Sequence, residues 1–312
     1  MTAGKFTTSL RSQLAQSERW RKVKVNALLV LVTMIWGSSF LIVQQTIRLT
    51  GPFTFLAMRF SIGALVLAVI FHKRLVQITR AEIITGSIIG LFLFGTYALQ
   101  TIGLQYTTSS KAGFISGLYV PLVAILTVPL LRQKPTLSSL LGVMLSVVGV
   151  TLISVNSSFQ FTFGLGEFLV MGCAIATALH VICISKFAPQ VDAMNLALVQ
   201  ITLTAILSLM AMPIAGEPFA LPPLPVWGSA LFMGVAATAF ALGVMNRVQQ
   251  FVSSTHATLI YALELVWVGM LGSLAGEQLS LFAWIGCGCI ILGIITSELR
   301  LAWMMKKIKS MQ

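Results

Sequence analysis

The chain has 312 residues, 57% of them hydrophobic and only 9% charged, with a formal net charge of +12 and a mean hydropathy of +0.95. A water-soluble surface, on which about a quarter of residues are charged, cannot be built from so few charges, so the soluble classes are excluded. A basic excess is usually read as a nucleic-acid partner; on a chain that is mostly hydrocarbon it reads as membrane topology instead, and no nucleic acid is expected.

Ten apolar stretches, each about as long as a bilayer-crossing helix, follow one another at 25–46, 53–71, 83–103, 109–131, 137–155, 164–185, 193–212, 226–246, 254–275 and 280–299. They are apolar on every face rather than alternating, which excludes a transmembrane barrel. The expectation is an all-α integral membrane protein of ten transmembrane helices, because lipid offers the backbone no other way to pair its polar groups. Residues 1–24 hold Lys5, Arg11, Arg19, Arg21, Lys22 and Lys24 and read as a basic tail, either plainly solvated or lying on anionic lipid. The first apolar run is full length and carries no small-residue cleavage site, so it reads as a retained helix rather than a signal peptide. Residues 300–312 make a second basic tail.

With the N-terminus in the cytoplasm, the cytoplasmic segments hold the six basic residues of the tail together with Lys73, Arg74, Arg80, Arg132, Lys134, Lys186, Arg247, Arg300, Lys306, Lys307 and Lys309. Arg48 alone lies in an outside loop, while Arg59 and Lys111 fall within or at the mouth of helices. This bias puts both termini inside. The four cysteines, Cys173, Cys183, Cys287 and Cys289, all fall within spans and read as small packing residues. No metal and no cofactor is expected.

The two halves superpose in sequence. Gln105–Ala112 matches Gln250–Ala257 at an offset of 145, and the glycine spacing Gly142…Gly149 returns as Gly286…Gly293. Each half holds five spans, an odd number, so the two must enter the membrane in opposite senses. Residues 25–155 and 164–299 are thus two inverted five-helix repeats. Such an arrangement marks secondary transporters, with the binding site near the midplane between the halves. An intramembrane enzyme is not expected: the chain has no HExxH, no paired intramembrane aspartates and no glycine-rich phosphate loop.

Trp36-Gly37-Ser38-Ser39-Phe40, Gly51-Pro52-Phe53 with Arg59-Phe60, Ala112 to Val123, and Ala257 to Trp267 with Gly276-Glu277 together resemble the signatures of the drug/metabolite transporter superfamily, EamA-type permeases. The resemblance runs from about Leu28 to Glu298. It implies a ten-helix fold around a central cavity, in a bacterial inner (plasma) membrane. It also implies a secondary active transporter that exports a small metabolite, such as an amino acid or related compound or a drug-like molecule, by alternating access. A passive channel or facilitator is the alternative. Leu265 stands where the family commonly has proline, so the sequence itself carries no kink signal there. His256 stands where related permeases often have another, frequently basic, residue.

The few ionisable residues inside the spans are the candidates for transport. Glu264 lies about ten residues into its span. A carboxylate there costs roughly 2.5–3.5 kcal/mol, so it should face the cavity or a partner. It reads as a proton-coupling site, a partner for a substrate ammonium, or a structural carboxylate. The 145-residue offset maps Tyr119 onto Glu264 and Lys111 onto His256. Arg59, seven residues past Pro52, snorkels outward, binds an anionic substrate group or anchors structure. His180 is a second proton-coupling candidate or a hydrogen-bonded packing residue. Trp36, Tyr97, Tyr261 and Trp267 are candidates for an aromatic lining. Gln100 and Gln200 must find polar partners, Gln100 also as a substrate contact. The glycines of the third, fifth and tenth spans permit close helix contact and equally suit a homodimer.

Overall fold

The computed structural model describes residues 3–75, 77–133, 136–154, 164–274, 280–282, 284–293 and 295–296. The Gly276-Glu277 pair, Lys134 and the basic stretch 300–312 lie outside the described residues. Every regular element among those described is helical. We number the helices α1 (Ala3–Thr46), α2 (Pro52–Ile70), α3 (Arg80–Gly103), α4a (Ser109–Ser116), α4b (Tyr119–Leu131), α5 (Leu137–Ser154), α6 (Leu165–Phe187) and α7 (Ala193–Ile214). Then come α8 (Leu224–Gln249), α9a (Ser254–Tyr261), α9b (Leu263–Leu274) and α10 (Trp284–Gly293). Among the described residues, seven segments are long and apolar enough to cross a membrane, while Tyr119–Leu131, Leu137–Gly149 and Trp284–Gly293 are shorter apolar helices. Helix α1 starts at Ala3, so the backbone of the basic N-terminal stretch is helical and runs unbroken into the first span.

The fourth span falls short because it breaks at Gly117–Leu118. Pro121 has no N–H to give the Gly117 carbonyl, which accepts from Val120 N at 3.1 Å instead. The ninth span breaks at Ala262, where Leu265 N reaches the Ala262 carbonyl at 3.2 Å. Gly117 and Ala262 are 145 residues apart. Both repeats therefore break at the same place, the second without a proline.

Packing obeys the same internal symmetry. Helix α3 packs on α6 and α7, α2 on α7 and α8, α1 on α9b, and α4b on α6. A methyl group on Gly90 would stand 3.1 Å from the Gln200 Cα, and one on Gly234 would stand 2.9 Å from the Arg59 carbonyl oxygen. These α3–α7 and α8–α2 contacts exchange under the repeat. So do two contacts between α5 and α10. A methyl group on Gly149 would lie 2.6 Å from the Gly286 carbonyl oxygen, and one on Gly293 2.6 Å from that of Gly142. Gly149→Ala and Gly293→Ala should each destabilise the detergent-solubilised protein by about 1–3 kcal/mol through overpacking. Gly288→Ala, with nothing within 4 Å of the added carbon, should leave the thermal midpoint unchanged in the same scan.

Two carboxylates fasten the bundle at opposite ends of the helices. Glu217, in the α7–α8 connection, accepts from Phe53 N at 3.0 Å, Thr54 N at 2.7 Å and Thr54 Oγ1 at 2.7 Å, satisfying the first turn of α2. Glu82 closes a capping box with Thr79. It also accepts from Asp192 N at 3.1 Å and Asn195 Nδ2 at 3.2 Å, joining α3 to the start of α7. Many large apolar side chains stay exposed, among them Leu65, Ile125, Met144 and Phe168. Such a surface suits hydrocarbon, not water.

Candidate functional site

A cavity of about 70 Å³ lies where the two repeats meet. Helix α1 supplies Trp36 and Ser39, and α3 supplies Leu93, Thr96, Tyr97 and Gln100. Ser116 and Tyr119 flank the break in α4, and Tyr261 and Glu264 flank the break in α9. Cys173, Thr177, His180 and Val181 of α6, with Leu242 and Met245 of α8, complete the wall. Tyr97 and Leu242, Gln100 and Met245, Ser116 and Tyr261, and Tyr119 and Glu264 are each 145 residues apart. Trp36 and Thr177, and Ser39 and His180, are each 141 apart. Both repeats thus wall the cavity with equivalent positions, carrying different side chains.

Of the sequence-predicted site residues, Trp36, Tyr97, Gln100, Tyr119, His180, Tyr261 and Glu264 come together here. Glu264 lies in the first turn of α9b, where the helix N-terminus favours a negative charge. It accepts no hydrogen bond from the described side chains. Trp36 stacks edge-on against Tyr261, ring centres 5.7 Å apart, and its Nε1 donates to the Ala237 carbonyl at 3.0 Å. Ala237 belongs to a π-helical segment of α8, Met233–Phe240. Such segments leave carbonyls open to other donors and recur at functional sites. The Tyr261 hydroxyl is buried with no partner.

His180 takes its orientation from a polar chain through the core. Asn246 Nδ2 donates to the Leu242 carbonyl at 2.8 Å, and a carbonyl can only accept. Asn246 Oδ1 is thereby left to accept from Gln200 Nε2 at 3.0 Å. Gln200 Oε1 then accepts from His180 at 2.7 Å, so His180 Nε2 carries the proton. In the neutral ring Nδ1 is an acceptor. Gln200, read as a polar group in need of partners, finds two.

Arg59 and Trp267 are outside the cavity wall. Arg59 is 1% exposed, so it does not snorkel. Its Nε donates to Thr238 Oγ1 at 2.8 Å, and its guanidinium sits 4.4 Å from the Tyr97 ring centre and 5.3 Å from that of Phe60. Nη2 is buried without a partner. Trp267 Nε1 donates to Thr33 Oγ1 at 3.2 Å, tying α9b to α1. His256 lies in the first turn of α9a, eight residues before Glu264, and does not line the cavity; the backbone of Lys111 lies in the first turn of α4a, and its side chain is outside the described residues. Cys173, read as packing only, is buried but part of the wall.

Sequence reasoning missed Ser39, Thr96, Ser116, Thr177, Leu242 and Met245. The 145-residue register carries the signal for three of these, since it projects Tyr97, Gln100 and Tyr261 onto Leu242, Met245 and Ser116. Thr177 and Thr96 are joined by a 3.3 Å contact across α6 and α3.

The two ends of the helices differ. At the end bearing Arg48, a vestibule of about 530 Å³ opens between Gln44, Ile47 and Arg48 of α1 and the segment after it, Leu104–Thr108 beyond α3, and Glu167 of α6. It shares α1, α3 and α6 with the cavity. At the end bearing Lys186 and Arg247 the helices are tied. Gln249 Nε2 donates to the Val181 carbonyl at 2.8 Å and to Ser185 Oγ at 2.9 Å, joining α8 to α6. Thr127 and Ser254 hydroxyls meet at 3.0 Å, joining α4b to α9a.

The sequence profile of the EamA-like transporter family matches residues 23–155 and again 164–298. An uncharacterized transporter of Archaeoglobus fulgidus is 28% identical over 293 residues, covering 94% of this chain and 91% of its own. The uncharacterized transporter YyaM of Bacillus subtilis is 22% identical over 290 residues, covering 89% and 94%. A protein of known crystal structure shares the fold at a TM-score of 0.73 and 20% identity, over 88% of this chain and 96% of that one. A duplicated, all-helical chain with an apolar exterior and a cavity between its repeats is a multi-pass membrane transporter of small molecules, and it belongs to the EamA-like transporter family.

Proposed function

We propose that the protein is a secondary active transporter of the bacterial inner membrane, exporting a small molecule by alternating access through ten crossings in two inverted repeats. The observation that carries this reading is the cavity itself, walled by equivalent positions of both repeats and bordered by the two helix breaks that flank Tyr119 and Glu264. Broken helices at the interface of inverted repeats are where such transporters bind their cargo.

Trp36, Tyr97, Gln100, Tyr119, His180 and Tyr261 contact the substrate, with Arg59 and Trp267 positioning the wall from behind. Glu264 binds either a proton or the substrate, and His180 is the second proton site. Lys73, Lys186 and Arg247 put the tied end in the cytoplasm. The vestibule then faces outward, one of the two states that alternate.

The reading is tested by screening amino acids, nucleosides and toxic metabolites for a rise in thermal midpoint, since a ligand of the folded state stabilises it by about 2.7 kcal/mol at a hundredfold excess over Kd. The best binder is then loaded into proteoliposomes with and without a pH gradient. Accumulation beyond equal concentrations under the gradient is expected. Arrest at equal concentrations in both cases would instead mark a facilitator.

A further inference from the structure

We infer that, within the transporter reading above, the cavity selects a small organic cation: a protonated amine on an aromatic or apolar body. The charge inventory of the wall is one-sided. Glu264 is the one carboxylate that lines it, and no Lys or Arg among the described side chains does. Arg59, behind the wall, is stacked on the Tyr97 and Phe60 rings and bonded to Thr238. Its charge already has aromatic faces to rest on.

The hydrogen-bonding inventory leans the same way. Ser39 spends its one hydroxyl proton on the Trp36 carbonyl at 2.6 Å, and Ser116 spends its own on Gly113 at 2.7 Å, so each turns lone pairs to the cavity. His180 is held with Nε2 as its donor, which leaves Nδ1 to accept. Trp36 has its N–H committed to Ala237. A ligand entering this space meets a carboxylate, an imidazole lone pair and hydroxyl lone pairs, besides the Tyr261 hydroxyl and the Gln100 amide, which can donate as well as accept. An ammonium can donate to every one of these groups, whereas a carboxylate would face Glu264 with a like charge.

The wall also carries aromatic rings beside its aliphatic residues. Trp36, Tyr119 and Tyr261 share the wall with Glu264, and aromatic faces attract a desolvated cation through their quadrupole. A carboxylate among aromatic rings stabilises a positive charge and still accepts an apolar body.

Three probes share one body and differ in charge: phenethylamine, phenylalanine and 3-phenylpropionate. Calorimetric titration of the detergent-solubilised protein should find phenethylamine bound about tenfold more tightly than either of the others. Glu264→Gln should level the three. Tyr119→Leu should weaken phenethylamine about tenfold while Tyr119→Phe, which keeps the ring, should not. Tighter or equal binding of phenylalanine or 3-phenylpropionate would overturn the cation preference, as would binding of none of the three. Phenethylamine binding without flux in proteoliposomes would leave the cation site standing and overturn the transporter reading instead.

Discussion

Glu264→Gln should abolish transport against a gradient while the protein still inserts and folds. The substitution keeps the size of the side chain and removes its charge and its ability to bind and release a proton. The carboxylate is in the cavity wall, in the first turn of α9b, with no hydrogen-bond partner among the described residues. An ionisable group left open inside a membrane is expensive, roughly 2.5–3.5 kcal/mol on the insertion scale, and persists where it serves transport. Removing the charge therefore costs folding little and should even raise the thermal midpoint. Flux in proteoliposomes should fall by about two orders of magnitude, equivalent to about 2.8 kcal/mol of lost interaction. Wild-type rates from the variant would show that Glu264 has no part in transport.

On the proposed topology, Gln249→Leu should open the cytoplasmic end, the one bearing Lys186 and Arg247. The wild-type side chain is 1% exposed and donates twice from α8 to α6. Its repeat mate 145 residues earlier is Leu104, and the mate of Ser185, 141 residues earlier, is Gln44. Both mates line the vestibule at the opposite end. One repeat ties α6 to α8 through both protons of one buried amide, where at the other end Gln44 Nε2 reaches only the Thr107 carbonyl at 3.2 Å beside the vestibule. Leucine at 249 gives that end the side chain found at the equivalent position of the other. Two net hydrogen bonds contribute about 1–3 kcal/mol, so the inward-open population should rise by about tenfold or more. The check is a cavity cysteine, Ser39→Cys in a chain whose four native cysteines are alanine, reacting with a membrane-impermeant thiol reagent applied to inside-out vesicles. An unchanged rate from that face would mean that Gln249 does not hold the cytoplasmic end.

The architecture was largely legible because hydropathy in a membrane chain reports burial in lipid directly. Seven of the ten stretches stand as helices long enough to cross. The repeat was legible because Gln105–Ala112 and Gln250–Ala257 keep their polar and small residues at one offset. Glu264, Tyr119 and His180 were legible as residues of the cavity wall because polar groups within apolar runs must face something. The break at Ala262 was not, since no proline or glycine stands there; its place at the contact of α9a and α9b with α1 is a matter of tertiary packing. The burial of Arg59 was hidden for a related reason. Its partner Thr238 lies 179 residues away in a π-helical segment, and the sequence gives no sign of that segment. The capping roles of Glu82 and Glu217 depend on which helix starts lie beside them, and that is a matter of tertiary structure alone.

Alternating access differs from a channel in one respect: opening one side must close the other. The labelling rate of Ser39→Cys from the periplasmic face, compared with and without Gln249→Leu, tests this most directly. The outer rate should fall as the cytoplasmic rate rises, because one cavity serves both faces in turn. An outer rate that stays the same or increases when the cytoplasmic end opens would contradict alternating access and make the cavity part of a continuous pore.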